Sequence, residues 1–232
     1  MLADVGENIL NFRLFHDADR ETLLRVKDKA VLKTVPGDTI IVAEGDRPGH
    51  LHIVREGLIE LYACSSKNRT TIALLKPGDC FILSAIVHRA VALMSARSLG
   101  SSELLQVPAG LFRKALQSDR KLLLNVSMEL GSEFRGLVRH LRDQKLRSAD
   151  QRLVAYLVRL GIEQGNDHEV VLPLRKHLIA SYLGIRSESL SRAFSDLQSL
   201  GVSVNGEHVR IADPAALVRF ANIDKNIDSP DF

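Results

Sequence analysis

The sequence predicts an α+β fold in three parts, on three observations. Short apolar segments punctuated by turn clusters between residues 31 and 107 indicate an all-β barrel or sandwich. An apolar stripe at helical spacing from Ser118 to about Arg147 indicates one long helix. A helix, a glycine turn and a second helix over 175–200, followed by a hairpin signal, indicate a winged helix-turn-helix. The boundaries are drawn at 1–117, 118–147 and 148–232, and 232 residues suffice for two domains that each bury a core.

Residues 7–30 carry short helical patterns, with Asp17 or Asp19 as cap before Leu23, Leu24 and Val26. The expected strands are Thr39–Val42, Leu51–Val54, Leu58–Tyr62, Thr70–Leu75, Phe81–Leu83 and Leu104–Val107. Between them stand Pro36-Gly37-Asp38, the run Glu44–Gly49, Glu56-Gly57 and Pro77-Gly78-Asp79, residues that turn a chain. No phosphate-cradling glycine loop, zinc-ligand pair at helical spacing or nucleophile elbow occurs, so no enzyme is expected.

A formal charge of +3 is mildly basic, so any affinity for nucleic acid must come from local placement of Lys and Arg. Two cysteines, Cys64 and Cys80, are too few for a disulfide scaffold and fit a reducing cytoplasm. The start Met-Leu-Ala-Asp-Val-Gly-Glu lacks the basic and apolar regions of a signal peptide. The apolar run from Phe81 to Val87 ends at His88-Arg89, too short for a membrane span. A cytoplasmic protein without a membrane partner is expected.

On the long helix Leu123, Leu130, Phe134, Leu137 and Leu141 recur at spacings of four and three, the seam of a coiled-coil homodimer, with Ser127 and Gln144 at the remaining seam positions. Leu122, Val126 and Val138 widen the apolar face, so one side can pack inward while the other meets a partner. Ser148-Ala149-Asp150-Gln151 matches a capping box and starts a helix through Val154, Leu157 and Val158 to Gly161. A short strand at Glu169–Leu174 follows.

In the helix-turn-helix, Leu178, Ile179 and Tyr182 mark the first helix, small Ala180 permits close approach, Gly184 supplies the turn and Ile185 plugs it. The second helix opens at Ser187 as N-cap and buries Leu190, Phe194, Leu197 and Leu200. Its other face carries Glu188, Ser191, Arg192 and Ser195. An Arg can donate to O6 and N7 of guanine, and a carboxylate can accept from the N4 amine of cytosine, so this face suits the major groove of double-stranded DNA. The competing reading is an ordinary i,i+4 ion pair between Glu188 and Arg192. Asn205-Gly206 between Val202–Val204 and Glu207–Ile211 signals a type I′ hairpin, the wing. Asp213-Pro214 caps a last helix through Phe220, and the tail from Asn222 is polar and expected to be loose.

Taken together, these parts resemble the superfamily of the cyclic AMP receptor protein and the fumarate and nitrate reduction regulator, with an N-terminal β-roll. The residues that carry the resemblance are Pro77-Gly78-Asp79-Cys80-Phe81 and Glu188-Ser189-Leu190-Ser191-Arg192, the latter in the Glu-x-x-Ser-Arg form of the fumarate and nitrate reduction branch. That branch reads inverted repeats of TTGAT type, which implies base contacts by Glu188, Ser191 and Arg192 and phosphate contacts by Lys176, Arg186 and Ser189. Transcription activation through RNA polymerase is likewise implied, whereas repression by occluding a site would need no further feature.

The sensor half departs from both well-known members. Residues 1–63 contain no cysteine, against an iron–sulfur cluster. Where the cyclic-AMP type has Gly-Glu-Leu and Arg-Ser-Ala, this chain has Ile82-Leu83-Ser84 and Met94-Ser95-Ala96, against cAMP, although Arg97 three residues on could restore the Arg in a shifted alignment. An apolar pocket joined to this recognition helix looks most like the nitric-oxide-responsive denitrification regulators, for which haem is a possible cofactor. His88 is then the preferred ligand, with His16, His50 and His52 behind it. Thiol sensing by Cys64 or Cys80 and an effector-independent regulator are alternatives, as is a cyclic-nucleotide-binding module that contacts protein.

Overall fold

The computed structural model describes residues 9, 12–65 and 68–228. The signal-peptide reading of residues 1–7 lies outside them. The chain divides into two compact units, 1–131 and 132–232.

In the first unit a single-turn 3-10 helix (Arg13–Phe15) and α1 (Arg20–Lys29) precede β1 (Val31–Val35), β2 (Ile40–Val42), β3 (His50–Glu56), β4 (Ile59–Ser65), β5 (Asn68–Leu75) and β6 (Cys80–Phe81). Then come α2 (Leu83–His88), β7 (Ser95–Ser98), β8 (Ser102–Pro108), α3 (Ala109–Ser118) and the first part of α4 (Arg120–Leu146). Two antiparallel four-stranded sheets form, in the orders β1-β8-β3-β6 and β2-β7-β4-β5. Val35, Val54, Phe81 and Leu104 of one sheet pack with Val42, Ile59 and Ala96 of the other. The opposite face of the first sheet, with Leu51, Ile53, Leu105 and Val107, is covered by helical residues that include Phe15, Val26, Ile86, Phe112, Leu122 and Val126. Burial on both faces explains why Leu51-His52-Ile53-Val54 reads as an almost unbroken apolar run.

The second unit continues with the rest of α4, then α5 (Ala149–Gln164), β9 (Glu169–Val171), α6 (Lys176–Leu183) and α7 (Ser187–Asp196). A 3-10 turn (Leu197–Leu200), β10 (Val202–Asn205), β11 (His208–Ile211), α8 (Pro214–Phe220) and α9 (Lys225–Asp228) complete it. Its sheet runs β10-β11-β9, and its core gathers Leu153, Leu157, Ile179, Leu190, Phe194, Leu197, Val209 and Leu217. No helix among the described residues is long and apolar enough to cross a membrane.

Several local expectations differ from what is observed. Strand β1 and the polar strand β7 add to those expected, and in place of the strand expected at Phe81–Leu83 the two-residue β6 (Cys80–Phe81) turns through Ile82 directly into α2. Ser118 ends α3, and Asp119 begins the long helix by accepting from the Leu122 backbone N–H at 2.9 Å and from that of Asp19 at 2.7 Å. The wing pairs Asn205 with His208, so its two-residue loop is Gly206-Glu207. Only Gly206 there has positive φ, at +63°, the pattern of a type II′ turn. A type I′ turn would have forced a second residue into the left-handed region, and the shifted register avoids that. Within the tail expected to be loose, Lys225–Asp228 form α9 and Asp228 is buried, while residues 229–232 lie outside the described residues.

Candidate nucleic-acid interface

The recognition surface depends on how α6 and α7 are locked. Gly184 ends α6 at φ +64°, and a Cβ there would meet the Gln144 amide at 2.7 Å, so both conformation and space require glycine. Gln144 donates from Nε2 to the Leu183 carbonyl at 3.0 Å and accepts from Arg152. Its side chain therefore serves the helix-turn-helix of its own chain and is unavailable to a dimer seam. The N-cap of α7 is Arg186, without a side-chain cap bond, and Ser187 is the first helical residue. Leu190, Ala193, Phe194 and Leu197 are buried beneath α7, which turns Glu188, Ser191, Arg192 and Ser195 to solvent.

Glu188 and Arg192 make no ion pair or hydrogen bond with any described residue. The Ser191 hydroxyl donates to the Ser187 carbonyl at 3.2 Å, which leaves its oxygen lone pairs outward. Lys176 and Arg186 are exposed and Ser189 is half-buried; the Lys176 ammonium stands 5.5 Å from the Phe194 ring centre.

A buried charge network near the end of α4 had no counterpart in sequence reasoning. Arg147 donates to Asp143 and to Asp228 Oδ2 at 2.7 Å, while Arg159 holds the other Asp143 oxygen at 2.8 Å. Arg147 also donates to the Ala221 carbonyl at 3.3 Å. Hydrogen bonding to Asp228 raises the Arg147 pKa above its usual value. Burial alone would raise that of Asp228, but hydrogen bonds from Arg147 and the Asp224 N–H leave it lower than usual. Only the Asp143/Arg147 spacing of four was visible in the sequence; Asp228 lies 81 residues from Arg147. The expected capping box at Ser148 and Gln151 is present with both bonds formed, at 3.3 and 3.1 Å. Asp213 caps α8 by accepting from the Ala216 N–H at 3.0 Å.

On α4, Leu122 and Val126 are buried in the first unit's core and Leu130 packs at its edge. Leu123, Phe134, Leu137, Val138 and Leu141 are exposed, Phe134 by 66%. The expected inward side is thus made by Leu122 and Val126, whereas Val138 lies on the exposed side.

In the β domain, Arg97 donates to Glu60 Oε2 at 2.6 Å and to Asp38 Oδ1 at 2.5 Å, so two carboxylates neutralise its guanidinium. Ile82, where the resemblance expects glycine, is at φ +67°, a strained conformation for a β-branched residue. Its half-buried side chain packs against both core clusters. His88 is exposed at the end of α2. His16 is exposed beside Asp17, and His50 is exposed at the start of β3. His52 is buried, stacked 5.0 Å from Phe81 and 3.3 Å from the Gln106 amide, and burial, aided by His50 and Lys33, pushes its pKa down to about 4. Cys64 is exposed and Cys80 buried.

Residues 32–119 match the cyclic nucleotide-binding domain, and residues 151–220 match the Crp-like helix-turn-helix domain. The chain belongs to the Crp/Fnr family. This Crp/Fnr-type protein is a DNA-binding transcription regulator. It is 24% identical over 199 residues to the anaerobic regulatory protein of Pasteurella multocida, covering 83% of this chain and 72% of that protein. To the nitrogen fixation regulation protein FixK of Bradyrhizobium diazoefficiens it is 26% identical over 191 residues, covering 80% of this chain and 79% of that protein. The solved structure of FixK2 from Bradyrhizobium japonicum is similar in fold, with a TM-score of 0.72 at 21% identity over 88% of this chain and 99% of that one.

Proposed function

We propose that this Crp/Fnr regulator acts as a homodimer that reads an inverted repeat of TTGAT type. Arg192 and Glu188 contact base edges with Ser191 beside them, and Lys176, Arg186 and Ser189 hold phosphates. One observation carries this reading: Glu188 and Arg192 stand one helical turn apart, exposed and unpaired among the described residues. The i,i+4 ion pair that would have explained them as surface decoration is not made, so both keep their hydrogen-bonding capacity for a base. The test is fluorescence anisotropy on a TTGAT–N4–ATCAA duplex. Replacing Arg192 by Ala should weaken binding by about 1–3 kcal/mol and relax preference at one base pair. Unchanged affinity in a folded variant would remove Arg192 from the interface.

The exposed stripe Leu123, Phe134, Leu137 and Leu141, with Leu130 at its edge, supports a helix-to-helix dimer contact. Leu137→Asp should give monomers by sedimentation, and a persistent dimer would place the contact elsewhere.

For the signal, we propose a nitrogen oxide, nitric oxide first, or another redox species, acting on the β domain to activate transcription through RNA polymerase. Support comes from the resemblance to denitrification regulators and from relatives named for anaerobic and nitrogen-fixation regulation. Against haem on His88 stands the exposure of that imidazole at the end of α2, open to water where a haem ligand would be enclosed by apolar walls. Cyclic AMP is disfavoured by Arg97, whose charge Glu60 and Asp38 already hold. The exposed Cys64 is the better placed of the two thiols for modification.

A further inference from the structure

A cavity of about 210 Å³ lies in the C-terminal unit, apart from the proposed DNA-reading face. Its walls include Arg139, His140 and Asp143 of α4, Tyr156 and Arg159 of α5, and Tyr182 of α6. On α4 these residues follow three- and four-residue spacing on the side opposite Phe134, Leu137 and Leu141, so the cavity and the apolar stripe occupy different faces of the helix.

The walls carry hydrogen-bond donors that lack acceptors. Tyr156 is 8% exposed and its hydroxyl has no partner, a costly state for a buried polar group. Tyr182 stands edge-on to it with ring centres 6.1 Å apart, and its hydroxyl makes no hydrogen bond among the described residues. Burial pushes both phenols above their usual pKa, so both remain protonated donors at neutral pH. Arg159 gives one N–H to Asp143, and its other N–H groups have no partner among the described residues. Asp143 is shared, one carboxylate oxygen accepting from Arg147 and the other from Arg159, so it offsets only part of the Arg159 charge. The remaining carboxylate in the walls, Glu163, is exposed, where solvent and salt screen it. Burial also lowers the His140 pKa, and that ring sits 5.3 Å from Tyr182, a flat surface next to the donors.

We propose that this cavity binds a small organic carboxylate with a flat hydrocarbon body. The carboxylate accepts from the Arg159 guanidinium and the tyrosine hydroxyls, and the body lies against Tyr182 and His140. A planar guanidinium matches a carboxylate, and aromatic walls bury a flat apolar body with little loss of side-chain freedom. A cavity of about 210 Å³ has room for a single-ring acid and is too small for a dinucleotide.

The test titrates the full chain with benzoate, by calorimetry and by tyrosine fluorescence, which is unobscured because the sequence has three tyrosines and no tryptophan. Saturable binding of one benzoate per chain is expected. Tyr156→Phe and Tyr182→Phe should each weaken it about tenfold, the loss of one hydrogen bond to a charged acceptor, while Tyr62→Phe in the other unit leaves it unchanged. Tyr156→Phe removes an unpaired buried hydroxyl and keeps the ring, so its melting temperature should hold or rise. Three outcomes would overturn the proposal: no saturable binding by the folded protein, equal binding by the double Tyr→Phe variant, or displacement of benzoate by an equal concentration of inorganic phosphate. DNA enters none of these readouts, so failure here and failure of the DNA reading are separable.

Discussion

Two groups of opposite charges in the C-terminal unit behave in contrary ways. Asp143, Arg147, Arg159 and Asp228 are buried or half-buried and bind one another, with Arg147 held by two carboxylates and two backbone carbonyls. Glu188 and Arg192 lie at the same i,i+4 spacing as Asp143 and Arg147, yet they are exposed and bind nothing among the described residues. The difference follows from solvent. A charge removed from water must be paired or it destabilises the fold, whereas a charge in water gains little from a neighbour and stays available to a partner that later excludes the water. The first group is therefore expected to govern stability and the second binding.

The largest effect should come from Arg147→Met, which leaves Asp228 and one oxygen of Asp143 buried without their cation. A loss of about 3 kcal/mol is expected in denaturant unfolding of the full chain. A loss below about 0.5 kcal/mol, the scale of an ordinary surface change, would erase the contrast. Arg192→Ala should do the reverse, with its binding loss accompanied by a stability change within about 0.5 kcal/mol. Ser148→Ala sharpens the comparison at smaller scale, since it removes one capping-box acceptor beside the network and should cost about 1 kcal/mol.

The smallest signal is a pH dependence. Asp228 has a folded-state pKa below its unfolded value of about 3.9, so its contribution is complete above that pH and disappears as pH falls through the folded pKa. The stability gap between wild type and Asp228→Asn should be widest near neutrality and close as the solution becomes more acidic than about pH 4. A gap constant from neutral to acid pH would show that the Arg147 pairing does not depend on the carboxylate charge.

Legibility in the sequence followed distance along the chain. The capping box at Ser148 and Gln151, the Asp213-Pro214 helix start, the glycine at 184 and the burial of Leu190 and Phe194 on α7 all depend on local patterns, and each is found where the sequence placed it, whereas Leu200 is half-buried in the 3-10 turn that follows. Strand β7 was not legible because Ser95-Ala96-Arg97-Ser98 has no apolar alternation; its place comes from pairing with β2 and β4, and its arginine is accommodated by Glu60, directly across on β4. The wing turn slipped by one residue because its type depends on which strand residues pair, and two candidate loops share the same glycine.

Local pattern alone specifies a β domain, a long helix with an apolar stripe and a winged helix-turn-helix whose outer face presents Glu188, Ser191 and Arg192. Periodicity and turn chemistry are local, and burial of the apolar face leaves the opposite residues no choice but solvent. Which polar groups are consumed emerges from the folded chain: Arg97 answers to Asp38 and Glu60, Gln144 locks Leu183, and Asp228 reaches Arg147. Such pairings join residues far apart in sequence, and they are chosen by the cost of leaving a buried polar group alone, which no local pattern records.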